Sequence, residues 1–208
     1  MRKRKKGGRS KAGKKEGEKE QAAKNAEDIR KNASLNWRMM NEAVHNVLKD
    51  LKKHHPAYDA KVGYDMAGFV WFQGFNDQFS EAFRNNYKGN MIHFIKDVRK
   101  EYKTPEMPFV IGVMGTSITK EKVAENAVSV AQREAAKAPE FKGTVTSVDS
   151  YLYYDLDAYE LYKKGWFKHL QEFSLLGSDR PYHYMGSGKF FTRFGDALAG
   201  AMNGLLKK

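Results

Sequence analysis

Ala67-Gly68-Phe69-Val70-Trp71-Phe72, residues 67–72, is a continuous apolar run that follows Gly63 and stops at Gln73. Six such residues are too few for an ordinary helix and lack the alternation of a strand with one wet face. They read as a parallel strand buried on both faces. Phe109-Val110-Ile111-Gly112-Val113-Met114 repeats the signature, and residues 144–148 give a third strand after Pro139 and Gly143. Between these runs the period changes to that of a helix. Met40, Ala43, Val44, Val47, Leu48 and Leu51 recur at three- and four-residue spacing over residues 36–54, which Pro56 closes. Phe83, Tyr87, Met91, Ile95, Val98 and Tyr102 line one face of residues 80–102, ended by Pro105 and Pro108. Residues 120–138 form an alanine-rich helix, and residues 189–206 a terminal one carrying Phe190, Phe194, Leu198, Met202 and Leu205. Residues 150–183 are aromatic and polar without a clean period, and read as a long functional loop with a short helix.

Helices alternating with apolar strands imply a three-layer α/β/α fold, a parallel sheet between helices joined by right-handed crossovers. Only three strands are visible where such sheets carry about five or six. The expectation is a sheet that is N-terminally truncated, with an unpaired edge prone to association.

Composition limits the chemistry. The chain has 208 residues, 41% of them hydrophobic, and no cysteine. That apolar fraction supports a packed core for the bulk of the chain. Without cysteine there is no disulfide frame, no thiolate metal site and no thiol nucleophile. The histidines and carboxylates show no metal spacing, so neither metal nor cofactor is expected. Apolar runs of six residues are too short to span a bilayer, and no apolar segment follows the basic opening as a secretory signal would.

The net charge of +12 is concentrated. Residues 1–31 hold thirteen Lys/Arg against five Asp/Glu, which leaves only +4 for the rest. Residues 1–33 are accordingly expected to be a basic, disordered tail, and residues 34–208 the folded part. A polybasic arm binds nucleic acid weakly through phosphates, without sequence preference. No aromatic is interleaved to stack on bases, so the plainer reading is a solvated tail.

Chemistry in an open parallel sheet collects beyond the carboxyl ends of the strands. Gln73-Gly74-Phe75-Asn76-Asp77 stands there after the first strand, a glycine turn carrying an amide able to donate to an oxyanion. Gly, Asn and Asp are also ordinary turn residues. The second constellation, residues 177–188, holds His183 among proline, aromatics and glycines. It is the best general-base candidate of six histidines, since His45, His54, His55 and His93 fall on helical stretches and His169 in the aromatic segment. Asp179, four residues earlier, is placed to orient the ring, or to cap a turn or pair with Arg180.

At these motifs the sequence resembles the SGNH hydrolases, which have a flavodoxin-like three-layer fold, and more closely the sialate O-acetylesterase-like carbohydrate esterases. The resemblance rests on Phe69-Val70-Trp71-Phe72-Gln73-Gly74-Phe75-Asn76-Asp77, Asp97-Val98-Arg99-Lys100, Pro108-Phe109-Val110-Ile111-Gly112, Tyr182-His183-Tyr184 with Gly186-Ser187-Gly188-Lys189, and Gly195-Asp196-Ala197. It covers residues 35 to the end. It implies serine-type hydrolysis of O-acetyl esters on sugars: His183 takes and returns the proton, Asp179 is the third member, and Gly74 and Asn76 hold the oxyanion. Gln73, Asp77 and Tyr182 are implied to bind the acetylated carbohydrate. Relatives of full length are expected to be exported.

Two departures stand out. The family's nucleophilic serine lies in a Gly-Gln-Ser-Asn type block after its first strand, and nothing here matches it. Gly8-Arg9-Ser10 sits in the basic tail, and Ser117, after the second strand, has no motif around it. Asp179 also precedes His183 by four residues where the usual spacing is three. The expectation is a C-terminal portion of such an esterase, inactive or very weak alone. The competing expectations are a sugar-binding remnant that stacks ligands on Trp71, Trp166 and the tyrosines of residues 150–184, and a nucleic-acid-associated protein acting through its tail.

Overall fold

The structure is a computed structural model that describes residues 24, 27, 34–115, 119–179 and 182–207. The tail motif Gly8-Arg9-Ser10, Ser117, Arg180 and Pro181 lie outside the described residues. The chain divides into two compact units, residues 1–64 and 65–208. In the first, the leucine and valine spacing gives α1, Leu35–Lys49, and the single turn α2, Leu51–His54. Asp50 interrupts them with a non-helical backbone, its N–H bonded to the Val47 carbonyl.

In the second unit three parallel strands pair in chain order: β1 Phe69–Trp71, β2 Phe109–Val113 and β3 Val145–Asp149. Phe69 stands opposite Phe109, and Phe109 opposite Val145. Parallel neighbours need crossovers, and helices supply them. α3, Glu81–Glu101, joins β1 to β2; α4, Lys120–Glu125, and α5, Ala127–Ala136, join β2 to β3. The pattern expected as one helix over residues 120–138 breaks because Asn126 leaves the helical region and caps α5, accepting from Val128 and Ser129 N–H at 3.0 and 3.1 Å.

The sheet lies between two helical layers. On one face Phe94 of α3 packs 4.5 Å from Trp71 and 5.9 Å from Phe69, ring centre to ring centre, and α5 packs beside α3. Tyr87, Met91, Ile95 and Val98 form the buried stripe of α3, each side chain contributing about 1.5–3 kcal/mol of apolar burial. On the other face lies α8, Gly188–Leu206, whose Phe190 and Phe194 are buried and whose Met202 presses on Gly68. Gly112 in β2 is required there, since a Cβ would sit 2.7 Å from Phe72 and 3.1 Å from Phe194. The expected α/β/α layering of helices about a parallel sheet is present.

Two local expectations are corrected. The run at residues 67–72 is not covered on both faces: Val70 is 45% exposed. Every residue of central β2 is buried, whereas β1 is an edge among the described strands. Residues 150–183 are not one long loop, because they hold α6, Leu156–Lys163, and α7, Leu170–Leu176, around Gly165 at φ 94°. Their period is masked because they pack into a separate small core. Ala158, Phe173 and Met185 form its centre, and Tyr159, Leu161, Tyr162 and Trp166 surround it from several faces of short helices.

At the amino ends of the strands Arg99 closes the core. Its guanidinium donates twice to the Met107 carbonyl, at 2.9 and 3.1 Å, and to Thr144 Oγ1 at 2.8 Å, 5.2 Å from the Phe141 ring centre.

Candidate active site

At the carboxyl ends of the strands a cavity of about 550 Å³ opens. Its first wall is the turn after β1. Gln73, Gly74, Phe75 and Asn76 all line it, and the chain then enters a single 3-10 turn, Asn76–Phe79. Gly74 has φ +145°, and a Cβ there would lie 2.9 Å from Val128 Cγ1. The turn can approach the helical layer only because this residue has no side chain. Gln73 Nε2 donates to Asp77 Oδ2 at 2.7 Å, so Asp77 braces Gln73 from behind and is not part of the cavity wall. Neither the Gly74 N–H nor the Asn76 carboxamide makes a hydrogen bond among the described residues.

The second wall is the turn before α8, where Tyr182, His183 and Tyr184 line the cavity. His183 Nδ1 lies 2.5 Å from Asp179 Oδ2. An ionised carboxylate only accepts, so this contact selects the tautomer protonated at Nδ1 and leaves the Nε2 lone pair for a substrate or nucleophile. The backbone here is left-handed for four residues in succession: His183 at φ 47°, Tyr184 at 54°, Met185 at 59° and Gly186 at 59°. Three of them carry side chains, at about 1–2 kcal/mol each relative to ordinary backbone.

Packing on both sides holds this turn. Tyr184 is buried and stacks on Phe190 with ring centres 4.0 Å apart, and its hydroxyl accepts from Gly115 N–H at 3.1 Å and bonds Ser150 Oγ at 3.0 Å. Burial raises its phenol above the usual value. Met185 fills the small core, and Asp179 N–H donates to the Met185 carbonyl at 3.1 Å. The caps of α6 and α8 are joined as well, Ser187 Oγ donating to the buried Asp155 carboxylate at 2.5 Å.

Phe72, Met114, Tyr154 and Phe191 complete the lining, so aromatics dominate it. Trp71 and Trp166 are not part of it: Trp71 packs on Phe94, and Trp166 on Phe173. No serine or threonine is among the described lining residues. The nearby serines are occupied, Ser129 Oγ donating to the Met114 carbonyl and Ser150 Oγ to that of Val113, both at 2.6 Å. No group of three His, Asp or Glu able to hold a metal occurs among the described residues, and no helix among them is long and apolar enough to cross a membrane.

Sequence reasoning missed the support beneath the first wall. Gln132 of α5, fully buried, donates from Nε2 to the Gln73 carbonyl at 2.7 Å and to Tyr87 Oη at 3.0 Å, and accepts from Met114 N–H at 2.8 Å. Tyr87 Oη donates to the same Gln73 carbonyl at 2.9 Å. Burial is the main cause that pushes the Tyr87 phenol up to about 12. One signal was present in the sequence: Gln132 stands four residues after Val128 and three before Ala135, on the apolar face of its helix.

Compared with known families, residues 21–155 match the one described as carbohydrate esterase, sialic acid-specific acetylesterase. This is well over half of the chain; it includes the Gln73–Asn76 wall and ends before the Tyr182–Tyr184 wall. Neither a curated protein nor a solved structure matches.

Proposed function

The chain belongs to the sialic acid-specific acetylesterase family of carbohydrate esterases, and from that premise we propose that the cleft receives the acetyl ester of an O-acetylated sugar. In this reading His183 is the general base, Asp179 orients its ring, and Gly74 N–H with the Asn76 carboxamide forms the oxyanion site. A hydroxyl at His183 Nε2 gives up its proton as its oxygen bonds to the acetyl carbon. The carbonyl oxygen becomes an oxyanion facing the Gly74 and Asn76 donors. His183 then returns the proton to the departing sugar oxygen, and water releases acetate by the same two steps. The family's attacking group is a serine hydroxyl, and none lines the cleft among the described residues. In this reading the described residues supply the base and oxyanion halves of the centre, with the aromatic walls gripping the sugar.

One observation carries this reading: His183, held by Asp179, and the residues of two uncommitted hydrogen-bond donors, Gly74 and Asn76, about a hundred residues apart in the chain, border one cavity. The test is calorimetric titration with an O-acetylated methyl glycoside and its deacetylated counterpart, alongside acetate release. The acetylated glycoside should bind at least about tenfold tighter, a difference of about 1.4 kcal/mol. Asn76→Ala should remove most of that preference, and acetate release should be no faster than from His183→Ala. Equal affinity for the two glycosides sinks the proposal. The aromatic walls favour a second reading, a cleft that binds sugar without turnover. It predicts glycoside binding indifferent to the acetyl group and to Asn76→Ala.

A further inference from the structure

We infer that Gln132 is a positioning residue for the oxyanion side of the cleft, its carboxamide fixing the Gln73–Gly74 peptide so that the Gly74 N–H faces the acyl group. The assignment rests on the acetylesterase reading for its purpose, but its geometry stands by itself.

A fully buried primary amide must find partners for both ends, and Gln132 finds them at the ends of two strands. Oε1 takes the Met114 N–H just past β2, while Nε2 gives its hydrogens to the Gln73 carbonyl just past β1 and to Tyr87 Oη. The opposite amide orientation would set donor against donor and acceptor against acceptor, so the network admits one orientation. The Gln73 carbonyl thereby receives two hydrogen bonds, from α3 through Tyr87 and from α5 through Gln132. Across a planar trans peptide the next N–H points the opposite way. Clamping the carbonyl toward the helical layer therefore turns the Gly74 N–H away from it, toward the cavity that Gly74 lines. The lack of a side chain at Gly74 lets this peptide sit so deep, since a Cβ would meet Gln132 Nε2 and Tyr87 Oη at 3.2 Å.

A residue that merely bolted β1 to β2 would affect stability alone, and Gln132→Glu separates the two roles. The protonated carboxyl of the variant can still donate to the Gln73 carbonyl, whereas the ionised form can only repel it. Burial raises the pKa of such a group and brings the change into an accessible range. Tyr87, pushed up to about 12, stays protonated throughout. The experiment follows the Gly74 amide resonance of the ¹⁵N-labelled full chain against pH, with affinity for the O-acetylated methyl glycoside measured in parallel. In the variant the Gly74 resonance should match wild type in acid. It should move away as the introduced carboxyl ionises, with about tenfold loss of affinity, the effect of one hydrogen bond. A folded variant whose Gly74 resonance and affinity track wild type across the range overturns the inference. If the variant fails to fold, Tyr87→Phe removes the second donor to the same carbonyl and must shift the same resonance. Failure of the acetylesterase reading has a different signature: the glycoside leaves wild-type Gly74 and Asn76 unmoved, while the ligand-free Gly74 resonance still decides the role of Gln132.

Discussion

Asp179 holds the His183 ring by an Oδ2···Nδ1 contact of 2.5 Å, yet both side chains face solvent, 42% and 80% exposed. A contact so exposed contributes little to stability, so its geometric role and its energetic role separate cleanly. Asp179→Ala should leave the urea midpoint nearly unchanged and abolish the downfield Nδ1–H proton resonance of His183. A large loss of stability would show instead that the pair supports the fold.

The turn that presents His183 depends on two glycines in backbone contact with it. A Cβ on Gly177 would strike the Met185 carbonyl oxygen, and one on Gly186 would strike Ser178 Oγ and Asp179 N. The Met185 carbonyl and the Asp179 N are backbone atoms that cannot swing away freely, and Gly186 also sits at φ 59°. Gly177→Ala and Gly186→Ala should each cost about 2–4 kcal/mol in urea denaturation. Loss of the Asp179–His183 proton resonance should accompany the change. A cost below about 0.5 kcal/mol for both would mean that the left-handed run is not held as described.

The parts of this structure legible from sequence are those whose residues announce their own geometry. The stripe from Tyr87 to Val98 has helical spacing, and α3 lies within one residue of the span it predicts. β2 is a plain apolar run and ends one residue early. Gly74, Asn76 and His183 attract attention because turn residues beyond strand ends are where side chains are free to act. What stayed hidden depends on partners distant in sequence. Val70 looks buried until the strand order leaves β1 at an edge. The helices α6 and α7 have apolar residues on several faces because the small core surrounds them. Gln132 shares the apolar face of its helix with Val128 and Ala135, but only the approach of Gln73, 59 residues away, gives its amide a task.

Alkaline pH should weaken the support of the first wall. Burial pushes Tyr87 up to about 12 from an ordinary 10.0, and Tyr154 likewise to about 12. A raised folded-state value means that between pH 10 and 12 the native state retains protons that the unfolded state has lost. Stability is therefore fully present below 10 and declines as pH rises toward 12. For Tyr87, which is 5% exposed, the loss amounts to about 2–3 kcal/mol. Melting temperature should fall across this window, and Tyr87→Phe should flatten the fall while lowering stability at neutral pH. Equal slopes in the two proteins would remove Tyr87 as the source.

Arg99 offers the converse case, a buried polar side chain whose loss should damage the fold and spare the cleft. Its fork reaches the Met107 carbonyl with two nitrogens and Thr144 Oγ1 with one of them, at the end of the sheet opposite the cavity. Burial lowers its pKa below the usual value, but a guanidinium remains charged and every lost hydrogen bond leaves a desolvated group behind. A lysine carries one nitrogen where arginine carries a planar fork, so Arg99→Lys cannot serve both acceptors in the same geometry. The substitution should lower unfolding free energy by about 2 kcal/mol. The affinity for the O-acetylated glycoside and the Gly74 amide resonance should stay at wild-type values, because both acceptors of the Arg99 fork, Met107 and Thr144, lie outside the two walls. A shift of the Gly74 resonance in this variant would mean that any loss of core rigidity disturbs that peptide, and the assignment of its orientation to Gln132 would lose its specificity.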